Sequence, residues 1–309
     1  MSKLKILVLG GHGFVGRNLT ATLNQTEHQI TSLSRADGLD LTDYASTEKC
    51  FAQIAPDVIF NCAAHVGSLH YVTTYAADVI NDNVQMSLNI YKTAAKVCPQ
   101  AKIVNLLSNC SYPGADNIQI ESKWWDGPVH ESVFSYGNSK KILYVIAKCY
   151  AKQRRTKSVN FLVPNTFGPG DSIDPNKTHA LNGMIIRMIE AQKKGDTSFE
   201  IWGTGSPIRE WAYIDDVTNI LIASIDMSND LLEPVNIAQN KGYAIKESAH
   251  FIAEALNFQG ELVFNTKYQD GAPVKILDDK KFREFFPNFV FFDHKKGIAQ
   301  TAAYYQSIL

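Results

Sequence analysis

The sequence predicts a doubly wound α/β protein: a parallel sheet covered on both faces, with a smaller mixed α/β domain in the C-terminal part. Three observations carry that expectation. An apolar run, Lys5 to Leu9, leads directly into the glycine-rich turn Gly10-Gly-His-Gly-Phe-Val-Gly16. Further short apolar runs alternate with helical stretches through the first half of the chain, the spacing of βαβ units. After Pro164 the texture changes to a loop dense in turn formers, followed by short mixed elements.

Each element follows from local pattern. Lys5 to Leu9 reads as a buried strand, and Arg17 to Leu23 opens a helix. Ile30 to Leu33 is the next strand, and Val58 to Cys62 a later one, introduced by Pro56-Asp57. Val84 to Val97 is the clearest helix; Ile103 to Leu107 is a strand that ends at Ser108. A helix from about Ser135 to Gln153 and a strand from Val159 to Val163 complete the first domain, expected over residues 1–164. The loop Phe167 to His179, a helix containing Met184 to Ala191 and the stretch Glu200 to Gly205 belong to a second domain, expected over 165–309. Asp215 to Ile225 reads as a helix that takes the segment 212–238 back to the main sheet.

Composition sets the outer limits. The 309 residues are 45% hydrophobic and 20% charged, enough for a sizeable core. A net charge of -1 gives no electrostatic reason to expect nucleic acid or an anionic membrane as partner, and no apolar run is long enough to cross a bilayer. The N-terminal apolar stretch runs straight into glycines and reads as a strand, not a signal peptide. Five widely spaced cysteines without a Cys-x-x-Cys argue for a reduced, cytoplasmic chain without a disulfide framework or metal site.

The turn satisfies Gly-x-Gly-x-x-Gly through Gly11, Gly13 and Gly16, and Gly-x-x-Gly-x-x-Gly through Gly10, Gly13 and Gly16. Between a strand and a helix, with Phe14 and Val15 entering that helix, such a turn brings a pyrophosphate to a helix N-terminus whose dipole favours the anion. This is the Rossmann-type arrangement for a dinucleotide. The second strand ends in Ser34-Arg35, a hydroxyl and a cation suited to a 2′-phosphate. NADPH is therefore expected over NADH, although Asp37 lies near. Asp40 and Leu41 are candidates for the adenine, and Ala63 and Ala64 for close passage of the cofactor; ordinary packing explains these four equally well.

Ser108, Tyr136 and Lys140 form the candidate chemistry. Tyrosine and lysine four apart on a helix share one face, and an ammonium beside a phenol favours the phenolate. With a serine hydroxyl to hold a carbonyl oxygen, the three suit hydride transfer to a ketone. Cys110 is surplus to plain ketone reduction.

Together these residues resemble the extended short-chain dehydrogenase/reductases that act on nucleotide sugars, and within them the GDP-L-fucose synthase family, the GDP-4-keto-6-deoxymannose 3,5-epimerase/4-reductases. The resemblance runs nearly end to end. Its most specific stretches are Ser108-Asn-Cys-Ser-Tyr-Pro113, Val163-Pro-Asn-Thr-Phe-Gly-Pro-Gly-Asp171, Trp202-Gly-Thr-Gly-Ser-Pro-Ile-Arg-Glu210 and Asp270-Gly-Ala-Pro-Val-Lys-Ile-Leu-Asp278. The resemblance implies that Ser108 and Tyr136 grip a C4 carbonyl, that Lys140 binds the nicotinamide ribose, and that Cys110 and His179 exchange protons at C3 and C5. It adds Pro164, Asn165 and His179 to the cofactor contacts. Arg187, Arg209, Trp202, Lys275 and Asn165 become candidates for the GDP-sugar, and a homodimer is implied by relatives that pair through equivalent helices.

The chain departs from the family pattern at Asn109 and Ser111, at Val66-Gly-Ser-Leu-His70, at Glu131-Ser-Val-Phe-Ser-Tyr136 and at Val274. These changes leave the hydride machinery intact and open the choice of sugar: a GDP-4-keto-heptose stands beside the 6-deoxyhexose, and a 4-reductase without epimerisation stands beside the bifunctional enzyme. A 4,6-dehydratase needs an acidic pair that Ser108-Asn-Cys110 lacks. A non-catalytic NADP-binding sensor can lose the tyrosine or lysine, and both are kept here.

Overall fold

The computed structural model describes residues 3–227 and 232–309. Part of the segment expected to return to the sheet, residues 228–231, lies outside the described residues.

The chain divides into two compact units. The first comprises 1–111, 129–163 and 217–235. Its sheet is built on β1 (Lys5–Leu9), β2 (Gln29–Leu33), β3 (Val58–Asn61) and β4 (Lys102–Ser108). The spatial order is Val235–Asn236, Lys157–Val163, β4, β3, β1, β2. The pairings among β2, β1, β3, β4 and Lys157–Val163 are all parallel. The order reverses at β1, flanked by β2 and β3, so the C-terminal end of β1 is the switch point where such sheets bind ligands. Ile6 to Leu9 and Ile59 and Phe60 are fully buried, as a strand covered on both faces requires.

Buried asparagines fix the register. Asn61 pairs with Asn105 and Asn105 with Asn160 across three adjacent strands. Asn61 Nδ2 donates to Asn105 Oδ1 (3.2 Å); Asn105 Nδ2 donates to Asn160 Oδ1 (2.9 Å) and to the Tyr91 hydroxyl (2.6 Å). A one-residue slip would leave these amides without partners inside the sheet.

The helices of this unit are α1 (Phe14–Leu23), α2 (Tyr44–Ile54), α3 (Leu69–Thr74), α4 (Ala76–Val97) and α5 (Phe134–Arg154). α2, α4 and α5 pack side by side. α4 begins eight residues before the apolar pattern announces it, because its first turns carry Asn81, Asp82 and Asn83.

The second unit comprises 112–128, 164–216 and 236–309. Residues 112–128, read from sequence as part of the first domain, fall here because Ile118–Gln119 is an edge strand beside Val274–Leu277. Further short strand pairs join Asn165–Phe167 to Trp211–Tyr213 and Ser198–Trp202 to Glu261–Asn265. α6 (Ala180–Lys194) packs on the helices Ile245–Leu256 and His294–Ile308. Among the described residues no helix is long and apolar enough to cross a membrane.

Candidate active site

The glycine turn forms at the end of β1. Gly10 has φ +78°, and a Cβ there would lie 2.8 Å from the Ala63 backbone; at Gly16 a Cβ would meet the Gly10 carbonyl at 2.2 Å. Only glycine allows the turn to close on itself and on the segment leaving β3. α1 then starts at Phe14, followed by Val15, with Gly13 as an N-cap that has no side chain and no acidic residue in the first turn. A helix N-terminus so arranged suits a pyrophosphate.

After β2, Ser34 caps a short turn. Its N–H and its hydroxyl donate to Asp37 Oδ2 at 2.8 and 2.9 Å, and His12 Nε2 approaches the same oxygen at 3.3 Å. The Asp37 carboxylate is thus engaged within the loop, and Arg35 is exposed. His12, inside the glycine turn, is a neighbour of this corner that the sequence reading did not assign. Asp40 accepts from the Thr42 hydroxyl (2.7 Å) and N–H (2.9 Å), bonds that hold its carboxyl below the ordinary range. Leu41 is buried, and its carbonyl accepts from Asn89.

Ser108 ends β4, and Cys110 lies in the turn that follows. Ser108 Oγ accepts from the Cys110 N–H at 3.2 Å, which leaves its O–H to donate elsewhere. The departures at Asn109 and Ser111 are both buried, and Ser111 donates its hydroxyl to the Ser108 carbonyl. They shape the turn from inside. α5 carries Tyr136 and Lys140 one turn apart, and Gly137 between them lets the helix approach: a Cβ there would meet the Cys110 carbonyl at 2.6 Å. The structure therefore brings Ser108, Cys110, Tyr136 and Lys140 into one neighbourhood.

The electrostatics correct one expectation. Lys140 does not pull the Tyr136 phenol down. The lysine is 5% exposed, its Nζ donates to the Leu106 carbonyl at 2.9 Å and lies 5.4 Å from the Tyr136 ring centre. Burial raises Tyr136 well above the usual phenol value, with the neighbouring Cys110 adding to the effect. Tyr136 is accordingly a phenol at neutral pH, the form that gives a proton. Burial also lowers Lys140 to about 8. Its ammonium is lost as pH rises through that value, so kcat/KM for NADPH oxidation is expected to fall above about pH 8. In Lys140→Met that limb should disappear from a uniformly slower profile; a limb that survives would assign it to another group.

The second unit holds the other candidates. His179 precedes α6 and is tied to Asp171, whose Oδ2 accepts the His179 N–H (2.8 Å) and contacts its Nδ1 (3.1 Å). Asn182 Nδ2 donates to the same oxygen at 2.9 Å. Burial alone would raise Asp171, which is 3% exposed, but the hydrogen bonds from His179 and Asn182 outweigh it and hold the carboxyl below its ordinary value. A carboxylate at Nδ1 orients the ring and favours the proton on that nitrogen. The sequence reading included Asp171 in a motif without giving it this task.

Arg187 on α6 lies with its guanidinium 5.2 Å from the Phe199 ring and 5.6 Å from the Trp202 ring. Trp202 is 61% exposed and stacks on Tyr268 at 4.9 Å. Tyr268, which the motifs did not single out, makes this an exposed aromatic pair beside a cation. Arg209 and Lys275 are register partners on neighbouring parallel strands. Arg209 Nη1 donates to the carbonyls of Ile208 (2.8 Å) and Ala272 (2.7 Å). Next to it, buried Glu210 accepts the N–H groups of Gln239 and Leu277, both at 2.7 Å, and burial pushes its carboxyl up to about 7. Glu210 pins the strand that presents Arg209. Pro164 is buried, and Asn165 donates its amide to the Glu210 carbonyl at 3.0 Å.

The sites thus fall into two groups by unit, with Cys110 in the first and His179 in the second. The model of the NAD dependent epimerase/dehydratase family matches residues 6–238. The probable GDP-L-fucose synthase 1 of Oryza sativa subsp. japonica is 30% identical over 304 residues, covering 97% of this chain and 92% of that protein. The crystal structure of a GDP-L-fucose synthetase from Naegleria fowleri bound to NADP is similar at TM-score 0.84 and 25% identity, over 98% of this chain and 92% of that one. A GDP-mannoheptose C4 reductase from Campylobacter jejuni, with NADP bound, has the same fold at TM-score 0.85 and 22% identity, over 99% of both chains. With a glycine turn between strand and helix, a serine–tyrosine–lysine set and a family match over most of its length, this chain belongs to the NAD dependent epimerase/dehydratase family.

Proposed function

We propose that this protein reduces the C4 ketone of a GDP-linked 4-keto sugar with NADPH. The observation that carries the reading is Ser108, Tyr136 and Lys140 gathered at the end of β4 and the start of α5, in a chain related nearly end to end to a GDP-L-fucose synthase. Bound NADPH supplies the hydride. The glycine turn Gly10 to Gly16 holds its pyrophosphate, Ser34 and Arg35 its 2′-phosphate, Asp40 and Leu41 its adenine side. Ala63, Ala64, Pro164 and Asn165 follow its path, and Lys140 holds the nicotinamide ribose. Ser108 donates to the C4 oxygen, and Tyr136 gives that oxygen its proton as hydride reaches the carbon. Arg187, Trp202, Arg209 and Lys275 bind the GDP portion, and Asn165 contacts the sugar-nucleotide.

Cys110 and His179 move protons at C3 and C5, the carbons a ketone at C4 acidifies, and Asp171 orients His179. In D2O the enzyme is expected to place deuterium at both carbons. Cys110→Ser should stop the exchange, and Asp171→Asn should slow it roughly tenfold or more while hydride transfer continues. Absence of deuterium in the unmutated enzyme's product would make it a plain 4-reductase.

A homodimer belongs to the same proposal. α4 and α5 lie together and leave Leu88 and Val145 41% and 45% exposed; light scattering should give twice the 34.4 kDa chain mass. The five cysteines are free thiols, which suits a reduced, cytoplasmic setting. The assay for the whole reading is a panel of GDP-4-keto hexoses and heptoses, each with NADPH or NADH at equal concentration. Turnover of a panel member with NADPH preferred is expected; preference for NADH would refute the assignment of Arg35.

A further inference from the structure

The segment leaving β3 carries a hydrogen-bonded chain that the reaction above does not use. Asp82 Oδ2 lies 2.8 Å from His65 Nδ1, and His65 Nε2 lies 2.8 Å from the Tyr71 hydroxyl. An ionised carboxylate only accepts, so Nδ1 carries the proton; in the neutral imidazole Nε2 then accepts the Tyr71 O–H. With its proton committed to His65, the Tyr71 oxygen offers only lone pairs. It is a built hydrogen-bond acceptor.

Its position points to the sugar. His65 lies two residues after Ala63, whose backbone the glycine turn closes on. Tyr71 sits on α3, and the residue after it, Val72, accepts through its carbonyl from Ser135 Oγ at 3.0 Å, immediately before Tyr136. The stretch that leads into and begins α3, Val66 to His70, is one of the places where the chain departs from the family pattern. The side-chain triad is not needed to hold this loop. Asn83 already grips the His65 backbone on both sides, accepting its N–H (2.9 Å) and donating to its carbonyl (2.8 Å), and Ser68 caps α3. The His65 and Asp82 side chains are 22% and 24% exposed, so the hydrogen-bonded chain reaches the surface and is not sealed in the core.

We propose that Asp82, His65 and Tyr71 form a sugar-recognition relay, in which Asp82 and His65 polarise Tyr71 to accept a hydrogen bond from a ring hydroxyl of the 4-keto sugar. No bond is made or broken in this step. The inference rests on the GDP-4-keto-sugar reading, and it makes the relay a determinant of which sugar is taken: a donor hydroxyl is accepted, and a carbon without one leaves the acceptor unpaired.

The test compares the unmutated enzyme, Tyr71→Phe and Asp82→Asn on the panel sugar that turns over and on its analogues lacking the C2 or the C3 hydroxyl. Tyr71→Phe keeps the ring that packs on Tyr75 at 4.8 Å, so the fold is retained. It should raise KM for the full sugar about tenfold, the value of one hydrogen bond, with kcat and NADPH affinity unchanged. The difference should vanish on one of the two analogues. Asp82→Asn should shift KM the same way by less, through the lost tautomer. Equal KM values for Tyr71→Phe and the unmutated enzyme on every sugar, or a loss confined to NADPH affinity, would overturn the relay alone. An unmutated enzyme inactive on every GDP-4-keto sugar would overturn the functional reading and the relay with it.

Discussion

Tyr136→Phe is expected to lower NADPH oxidation with a GDP-4-keto sugar by roughly 10²–10⁴-fold, while NADPH binding stays close to normal. The hydroxyl is the only group removed, and burial keeps it protonated, so the variant loses the proton donor and nothing of the ring's packing. Hydride arriving at C4 without that proton would leave an alkoxide inside a partly desolvated site, which is why the loss falls on kcat. Lys140 and the glycine turn are untouched, so titration of NADPH by fluorescence should give a dissociation constant within a few-fold of the unmutated protein. Unchanged turnover would remove Tyr136 from the chemistry and with it the account of this site.

The largest stability effect is expected from Asn105→Leu. The substitution nearly conserves volume, yet it takes away the partner of Asn61 Nδ2 and of Asn160 Oδ1 and one of the contacts of Tyr91. Asn160 is fully buried and Asn61 is 3% exposed, so the stranded groups cannot turn to water. At about 1–3 kcal/mol for each of the two buried groups left unsatisfied, the loss should be about 2–6 kcal/mol in chemical denaturation. That is a large fraction of the roughly 5–15 kcal/mol that holds a folded protein together. A loss below about 0.5 kcal/mol would mean that the asparagine ladder does not set the register of β3, β4 and the strand Lys157–Val163.

Local patterns made much of this legible in the sequence. The strand–glycine turn–helix unit and the Tyr136–Lys140 spacing depend on residues a few positions apart, and both are where the pattern puts them. The strand ending at Ser108 is likewise one apolar run. What was hidden depends on distance or burial. The start of α4 was masked by Asn81 to Asn83, polar residues of which Asn83 faces inward to bind the loop at His65. The raised phenol of Tyr136 reflects burial, whereas the sequence supplied only the nearby lysine charge. Asp171 and His179 are eight residues apart across a loop, and Asp82 is 17 from His65, so neither pair has a period that sequence can display. Ile118–Gln119 is two residues long and acquires its strand character only from Val274–Leu277 beside it.

The central claim is that hydride is delivered to C4 of a GDP-4-keto sugar while Tyr136 protonates its oxygen. It is tested most directly by supplying NADPH deuterated at the transferable position of the nicotinamide, together with the GDP-4-keto sugar, and locating the label in the product by NMR. Deuterium is expected at C4 of the sugar, with roughly 10²–10⁴-fold less labelled product formed by Tyr136→Phe over the same time. Oxidation of the cofactor with no label at C4, or label at another carbon, would contradict it.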